Sequence, residues 1–360
     1  TSVILNWSRG KRDEKIILPL NDSISFTLNQ DEMCARTTVA VSPSFTEDRF
    51  WLNGNVLFAV FLLLVYSIVL SRAYISVRRR ASKRKLEGST EDILNWHVHI
   101  CSVNNFPTAA GLASSAAGYA CLGEFCELLG DLSSIARQGS GSACRSIYGG
   151  LVRWYKGELD DGTDSVAQPI APPDHFPNLR IIICVANAGR KKTGSTDGMR
   201  QTVQTSRLME YRVKESVVTR TEAMMEAIQD KNWSTFCDLT IADSNEMHAV
   251  CLDTFPPCVY MTDTSHAVAS LVHQYNEVKI VCYTFDAGPN ACLFVPGAVV
   301  KEVLALLLRT FPPGPSQSPT EYVKGIPAQS ATLSKVYVWQ GYIKISCVRK
   351  TEILDTHQSG

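Results

Sequence analysis

Between Asn104 and Gly118 the chain reads NNFPTAAGLASSAAG, and little in it is bulky. The stretch follows His97–Val103, HVHICSV, which alternates as a strand does. It leads into an Ala, Leu and Cys pattern that predicts a helix running to about Leu129. Strand, small-residue loop and helix, in that order, present backbone amides at a helix N-terminus, where the partial positive charge suits phosphate. Ala and Ser side chains would let such a ligand approach closely. The same composition also fits the tightly packed start of an Ala-rich helix, and the loop is not a Walker A sequence.

The length of 360 residues leaves room for about two domains, and a 45% hydrophobic content can fill their cores. Upstream of the loop, residues 16–28 alternate apolar and polar around an Asn-Asp turn, and Thr37–Ser42 and Arg49–Leu52 add strand-like runs. With His97–Val103 these predict an antiparallel sheet. Gly149–Tyr155 reads as a further strand, and Pro169, Pro172, Pro173 and Pro177 mark a linker. Leu179–Ala186 then opens a second unit with a β-branched strand. Helical patterns over Ser206–Asp230 and Trp233–Asp253, a strand at Val278–Thr284 and a helix at Gly297–Thr310 follow, while the tail after Pro313 is weakly patterned. The expected architecture is α+β in two domains, 1–168 and 178–360.

Lysine plus arginine equals aspartate plus glutamate at 35 each, so no net field draws the chain to nucleic acid or to an anionic membrane. Any anion must be held by a local arrangement. None of the twelve cysteines falls in a C-x-x-C pair and no signal peptide is evident, which predicts reduced thiols in the cytosol. Cys121, Cys126, Cys184 and Cys251 read as small buried apolar side chains. Val56–Leu70, VLFAVFLLLVYSIVL, is fifteen residues without a charge, and a basic run from Arg78 to Lys85 follows it. A spanning helix needs about 20 apolar residues. A span here would also place residues 1–55 across a bilayer from the loop that shares their sheet. Topology therefore favours an apolar helix packed on or near the first domain, or a segment foreign to the active enzyme, in an atypical 56–85 stretch, over membrane contact through 56–77.

Two more groups carry chemistry. In Gly139–Ser146, GSGSACRS, serines alternate with glycines ahead of Arg145, whose planar fork can bond two oxygens of a carboxylate or phosphate. A surface turn with an incidental arginine would read the same way. In Tyr283–Ala291, YTFDAGPNA, Asp286 stands where a strand gives way to a Gly-Pro turn, a rigid place for a proton acceptor, although a lone aspartate there also reads as a structural cap.

Pro107, Gly111, Leu112, Ser114, Ser115 and Ala116 match the P-x-x-x-G-L-x-S-S-A signature, by which the chain resembles the GHMP kinase superfamily. The full string NNFPTAAGLASSAAGYACL, together with GSGSACRS, KKTGSTDGMR (Lys191–Arg200), DSNEMHAVCLDTFPP (Asp243–Pro257) and YTFDAGPNA, is similar to its mevalonate diphosphate decarboxylase branch. The resemblance implies the two-domain GHMP kinase fold and an ATP- and Mg²⁺-dependent decarboxylation of mevalonate 5-diphosphate to isopentenyl diphosphate. It places ATP on Asn104, Pro107, Gly111, Leu112, Ala113, Ser114, Ser115 and Ala116, with Mg²⁺ reached through Ser114 and Ser115. Substrate falls to Ser140, Ser142, Arg145, Thr196 and Met199. Asp286, Arg145 and Lys11 become the catalytic residues, while Asn245 and His248 lie on a helix nearby, His248 as packing. A cytoplasmic homodimer is also implied.

The first strand departs from the family motif N-I-A-V-I-K-Y-W-G-K-R-D-E. Keeping Val3, Ile4 and Trp7 in place puts Leu5 where the family has a lysine near the phosphates and Asn6 where it has a substrate-contacting tyrosine. Ser8 and Arg9 then read as an insertion, and Lys11 keeps the second lysine. A leucine cannot neutralise a phosphate, so lowered turnover is expected. A member that only binds nucleotide or substrate, and a small-molecule kinase of the superfamily, stay open as alternatives.

Overall fold

The structure, a computed structural model, describes residues 2–57, 96–105, 114–124, 132–186, 193–276, 281–313, 322–325 and 344–349. Strand β1 (Ser2–Asn6) is followed by a small hairpin of β2 (Lys11–Asp13) and β3 (Leu18–Pro19), then β4 (Ser23–Thr27). Next come β5 (Ala35–Ser42), β6 (Arg49–Leu52), β7 (Asn55–Leu57) and β8 (His97–Asn104). Asn53 and Gly54 both take positive φ, 50° and 80°, the backbone that a tight two-residue hairpin needs between β6 and β7. β6 runs parallel to β8 while β5 runs antiparallel to it, so the antiparallel sheet expected here is mixed.

Helix α1 (Ser114–Glu124) packs with Phe50, Val98 and Ile100 of that sheet through Ala116, Tyr119 and Leu122. α2 (Leu132–Arg137) and the short α3 (Ala143–Ser146) lead to β9 (Leu151–Trp154) and β10 (Ala167–Ala171). The strand order β1-β4-β9-β10 makes β10 an edge. Pro169 therefore belongs to a strand rather than to the start of the expected linker, and an edge tolerates its missing N–H.

β11 (Leu179–Val185) is buried along almost its whole length and organises the rest. Its odd residues, Leu179, Ile181, Ile183 and Val185, join a core with Val3, Leu5, Ile24, Phe26 and Leu151 of the first sheet. Its even residues, Ile182 and Cys184, face a second core. A strand apolar on both faces is the pattern of a covered sheet. α4 (Ser195–Thr205) and α5 (Arg207–Tyr211) precede a π-helical turn, Arg212–Ser216, and α6 (Val217–Gln229). The single helix expected over Ser206–Asp230 is thus interrupted, although Ser206 does cap α5 by accepting from the Met209 N–H. α7 (Trp233–Asp253) matches its prediction, and α8 (Asp263–Tyr275) is additional to it. β12 (Cys282–Phe285), β13 (Ala291–Pro296) and α9 (Val300–Thr310) follow.

The tail is more than weakly patterned chain: β14 (Val323–Gly325) and β15 (Lys344–Arg349) extend the second sheet in the order β12-β13-β11-β15-β14. Val56 and Leu57, the start of the apolar run, lie in β7 rather than in a helix. The rest of the 56–85 segment falls outside the described residues. Among the described residues no helix is long and apolar enough to cross a membrane. Ten of the cysteines are free, with Cys184 and Cys251 buried and Cys121 half-buried, while Cys126 lies outside the described residues.

Candidate active site

The site is assembled around the end of β12, which α7 holds by several side chains. Tyr283 donates its hydroxyl to Oδ1 of Asn245 at 3.0 Å, and Thr284 Oγ1 accepts from Nε1 of Trp7 at 3.1 Å. The Phe285 N–H donates to Oγ of Ser244 at 3.0 Å, and the Phe285 carbonyl meets Nε2 of His248 at 3.3 Å. Every residue of this stretch is thus pinned just before Asp286. The half-buried Asp286 accepts the Ala287 N–H on Oδ1 at 2.5 Å, and its carbonyl accepts from Gly288 at 2.6 Å, so the turn holds the carboxylate itself. Burial pushes the His248 pKa down to about 4, which leaves the ring neutral and fits the packing role expected of it.

Arg145, on α3, is 1% exposed. It donates through Nη2 to Oγ of Ser142 at 3.1 Å and through Nη1 to Oγ of Ser23, and lies 5.3 Å from the Trp154 ring. Burial pushes its pKa down, and Cys144 and, less, the charge of Asp286 oppose that shift only in part. Its Nε has no hydrogen-bond partner among the described residues. The glycines beside it are there for closeness: a Cβ on Gly141 would stand 2.8 Å from the Trp154 ring, and one on Gly139 would overlap Tyr119. Ser140 and Ser142 are half-buried at the rim. Cys144 cannot act as a thiolate, since burial pushes its pKa up to about 12.

Lys11 sits on β2 beside α4. Burial lowers its pKa first; Glu14 opposes that, and Arg200 adds to it. Arg200 answers Glu14 through both Nε, at 2.9 Å and 3.3 Å to its two oxygens, and Nη2, at 2.8 Å. Thr196 and Met199 share α4 with Arg200, Thr196 exposed and Met199 half-buried. In the small-residue loop, Asn104 ends β8 and its N–H donates to Oδ1 of Asn53 at 2.8 Å. Pro107, Gly111, Leu112 and Ala113 lie outside the described residues. Ser114 and Ser115 open α1, whose first turn carries no acidic residue, and Ala116 packs inward.

The structure corrects the register of the first strand. Leu5 is wholly buried in the apolar core beside Val3, so it is no replacement for a phosphate-facing lysine. Counted back from Gly10–Glu14 without a gap, the motif's lysine falls on Trp7, its tyrosine on Ser8 and its tryptophan on Arg9. Ser8 and Arg9 are then no insertion. Trp7 is fixed at the junction: its N–H donates to Asp243 Oδ2 at 2.8 Å and its carbonyl accepts from Arg212 at 2.9 Å. Arg212 also bonds Asp243 at 2.9 Å, Arg220 bonds Asp243 at 2.8 Å, and both arginines pair with Glu246. Sequence reading missed this network and missed Arg9; the ungapped count was the signal that could have found Arg9.

Residues 2–167 match the family model of the diphosphomevalonate decarboxylase-like N-terminal domain, and residues 181–357 match that of the mevalonate 5-diphosphate decarboxylase C-terminal domain. The chain belongs to the mevalonate diphosphate decarboxylase family. The diphosphomevalonate decarboxylase of Rattus norvegicus is 47% identical over 344 residues, covering 92% of this chain and 83% of its own length. Among solved decarboxylases of the family, that from Trypanosoma brucei superposes with a TM-score of 0.85 at 31% identity, covering 99% of this chain and 97% of its own. The structure of "MDDEF in complex with MVAPP, AMPPCP and Magnesium" superposes with a TM-score of 0.72 at 32% identity over 87% of this chain and 91% of its own. The α+β, two-domain GHMP kinase fold expected from the motifs is the fold of these neighbours.

Proposed function

We propose that the chain catalyses the ATP-dependent decarboxylation of mevalonate 5-diphosphate to isopentenyl diphosphate, releasing ADP, phosphate and CO₂. The observation that carries this reading is the placement of two groups by separate parts of the fold: the buried Arg145 with an Nε that has no partner among the described residues, and Asp286 fixed in the turn at the end of β12. Family membership supplies the substrate class.

In this reading the guanidinium of Arg145, backed by Ser23 and Ser142, aligns the carboxylate that departs as CO₂. Asp286 orients the 3-hydroxyl and accepts its proton as the phosphoryl group arrives. Ser140, Ser142 and Lys11 face the diphosphate, and Thr196 and Met199 border the substrate site. Asn104, Pro107, Gly111, Leu112, Ala113, Ser114, Ser115 and Ala116 receive ATP, and the absence of acidic side chains in the first turn of α1 suits an anion there. Mg²⁺, reached through Ser114 and Ser115, would supply charge neutralisation between the ATP oxygens. Residues 1–168 form the nucleotide-binding domain and 178–360 the C-terminal one, and the family resemblance supports a cytoplasmic homodimer.

A coupled assay with mevalonate 5-diphosphate, Mg²⁺ and ATP, following ADP and CO₂ together, tests the reading. Wild type is expected to release both, and Asp286→Asn to lower kcat about 10²- to 10⁴-fold, the usual contribution of a positioned proton acceptor. ADP without CO₂ would point to a kinase instead, and neither product from folded protein would leave only a binding protein.

A further inference from the structure

Four arginines are buried among the described residues, and their partners differ in kind. Arg212 is matched by the carboxylates of Asp243 and Glu246. Arg137 caps chain carbonyls, donating to those of Ile16 at 2.8 Å and Gly162 at 3.0 Å. Arg145 is the guanidinium assigned above to the substrate carboxylate. Arg9, 3% exposed, has neither carboxylate nor carbonyl among the described residues. It donates through Nη2 to Oγ1 of Thr202 at 3.0 Å and lies 5.5 Å from the Tyr260 ring, and its Nε has no partner among the described residues. A buried cation without a counter-charge is costly, and an anion bound beside it would offset that cost.

The surroundings say which anion. Arg9 rests against α4 at Gly198, where an added Cβ would stand 3.2 Å from Nη2, between the substrate-bordering positions Thr196 and Met199. Two residues on, Lys11 is held beside the same helix with Arg200 pressing on it. The N-terminus of α4 itself has no side-chain cap at Gly194. Arg9 and Lys11 thus both lie against α4, and of the near carboxylates Asp197 pairs with Arg200 while Glu14 serves Arg200 and Lys11.

We propose that Arg9 is a substrate-binding residue, taking the diphosphate of mevalonate 5-diphosphate together with Lys11 and so restoring the charge lost where Trp7 stands at the motif's lysine. The inference rests on the decarboxylase reading. It makes Arg9 this chain's own answer to an altered motif, since the ungapped count puts a tryptophan there in the family.

The test uses the full chain with two readouts: steady-state kinetics, and calorimetric titration with inorganic diphosphate. Arg9→Gln is expected to raise the KM for mevalonate 5-diphosphate about 10- to 100-fold, the loss of one charge-assisted bond, with the KM for ATP unchanged. Its affinity for inorganic diphosphate should fall in step. Arg9→Lys, which keeps the charge, should recover most of both losses, and if Arg9→Gln does not fold, diphosphate binding by Arg9→Lys decides, its loss overturning the proposal. A folded Arg9→Gln with wild-type KM and wild-type diphosphate affinity overturns it, as does an equal fall in melting temperature in both variants with no selective effect on substrate. Wild type that releases no CO₂ sinks the decarboxylase reading alone, because the titration still judges Arg9.

Discussion

Buried on α7 beneath the turn that carries Asp286, His248 meets the Phe285 carbonyl through Nε2 at 3.3 Å, and burial pushes its pKa down to about 4. Only the neutral ring fits, and its Nε2–H is then the donor to that carbonyl. The folded state refuses a proton that the unfolded chain accepts below pH 6.5, so stability should fall as pH drops from 6.5 toward about 4. Above that window the residue contributes no slope. At 1.36 kcal/mol per unit the full effect is on the order of 3 kcal/mol, and His248→Gln should flatten this part of a denaturant-midpoint profile against wild type. An unchanged profile would mean that the ring is not desolvated. Asp286 and Arg145 were readable as candidates because each lies in a compact motif. Arg9 was missed because its role turns on the register of β1, which the ungapped count offers and the burial of Leu5 settles.

At the scale of elements, α7 acts as the ruler of the site. One face supplies Ser244, Asn245 and His248 to β12, and another supplies Asp243 and Glu246 to the arginines of the π-helical turn and α6. The long helical pattern of α7 was legible in sequence, as was the strand that ends at Phe285. The π-helical interruption was not, and neither was the ion network, whose partners Trp7 and Asp243 are 236 residues apart. Such a network is set by tertiary placement rather than by local propensity. Asp243 has no exposed side-chain surface, accepts from the Trp7 N–H and pairs with two arginines, so Asp243→Asn leaves buried positive charge poorly answered. A loss of about 3 to 5 kcal/mol is expected from chemical denaturation. It should come with a raised KM for substrate, since the same contact fixes the segment leading to Arg9 and Lys11. A variant as stable as wild type would show that Arg220 and Glu246 hold the junction without it.

Across the whole molecule, β11 is shared by both cores and so couples the two sheets. Most of its neighbours were legible: the apolar alternation of β4, the run of β11 itself and the amphipathic α9 all follow their expected periods. The tail was not, because β14 and β15 are short and carry no strong period, and their place is given by pairing alone. Yet β15 pairs with β11 from Arg180 to Val185, on the edge opposite β13, and β14 lies parallel beyond it. Tyr322 and Val323 join the second core, and the Tyr322 hydroxyl donates to the Phe311 carbonyl at 2.6 Å. Removing residues 314–360 would therefore strip one side of a central strand, leave its N–H and C=O groups as an open edge, and uncover apolar surface of the second core. Open apolar edges recruit other chains. The truncated chain should lose its cooperative melting transition and elute as aggregate on size-exclusion chromatography, even though every proposed catalytic residue is retained. A monodisperse truncation with a wild-type melting temperature would instead mean that β11 is stable as an edge strand, and that the second core closes over α8 and α9 without the tail.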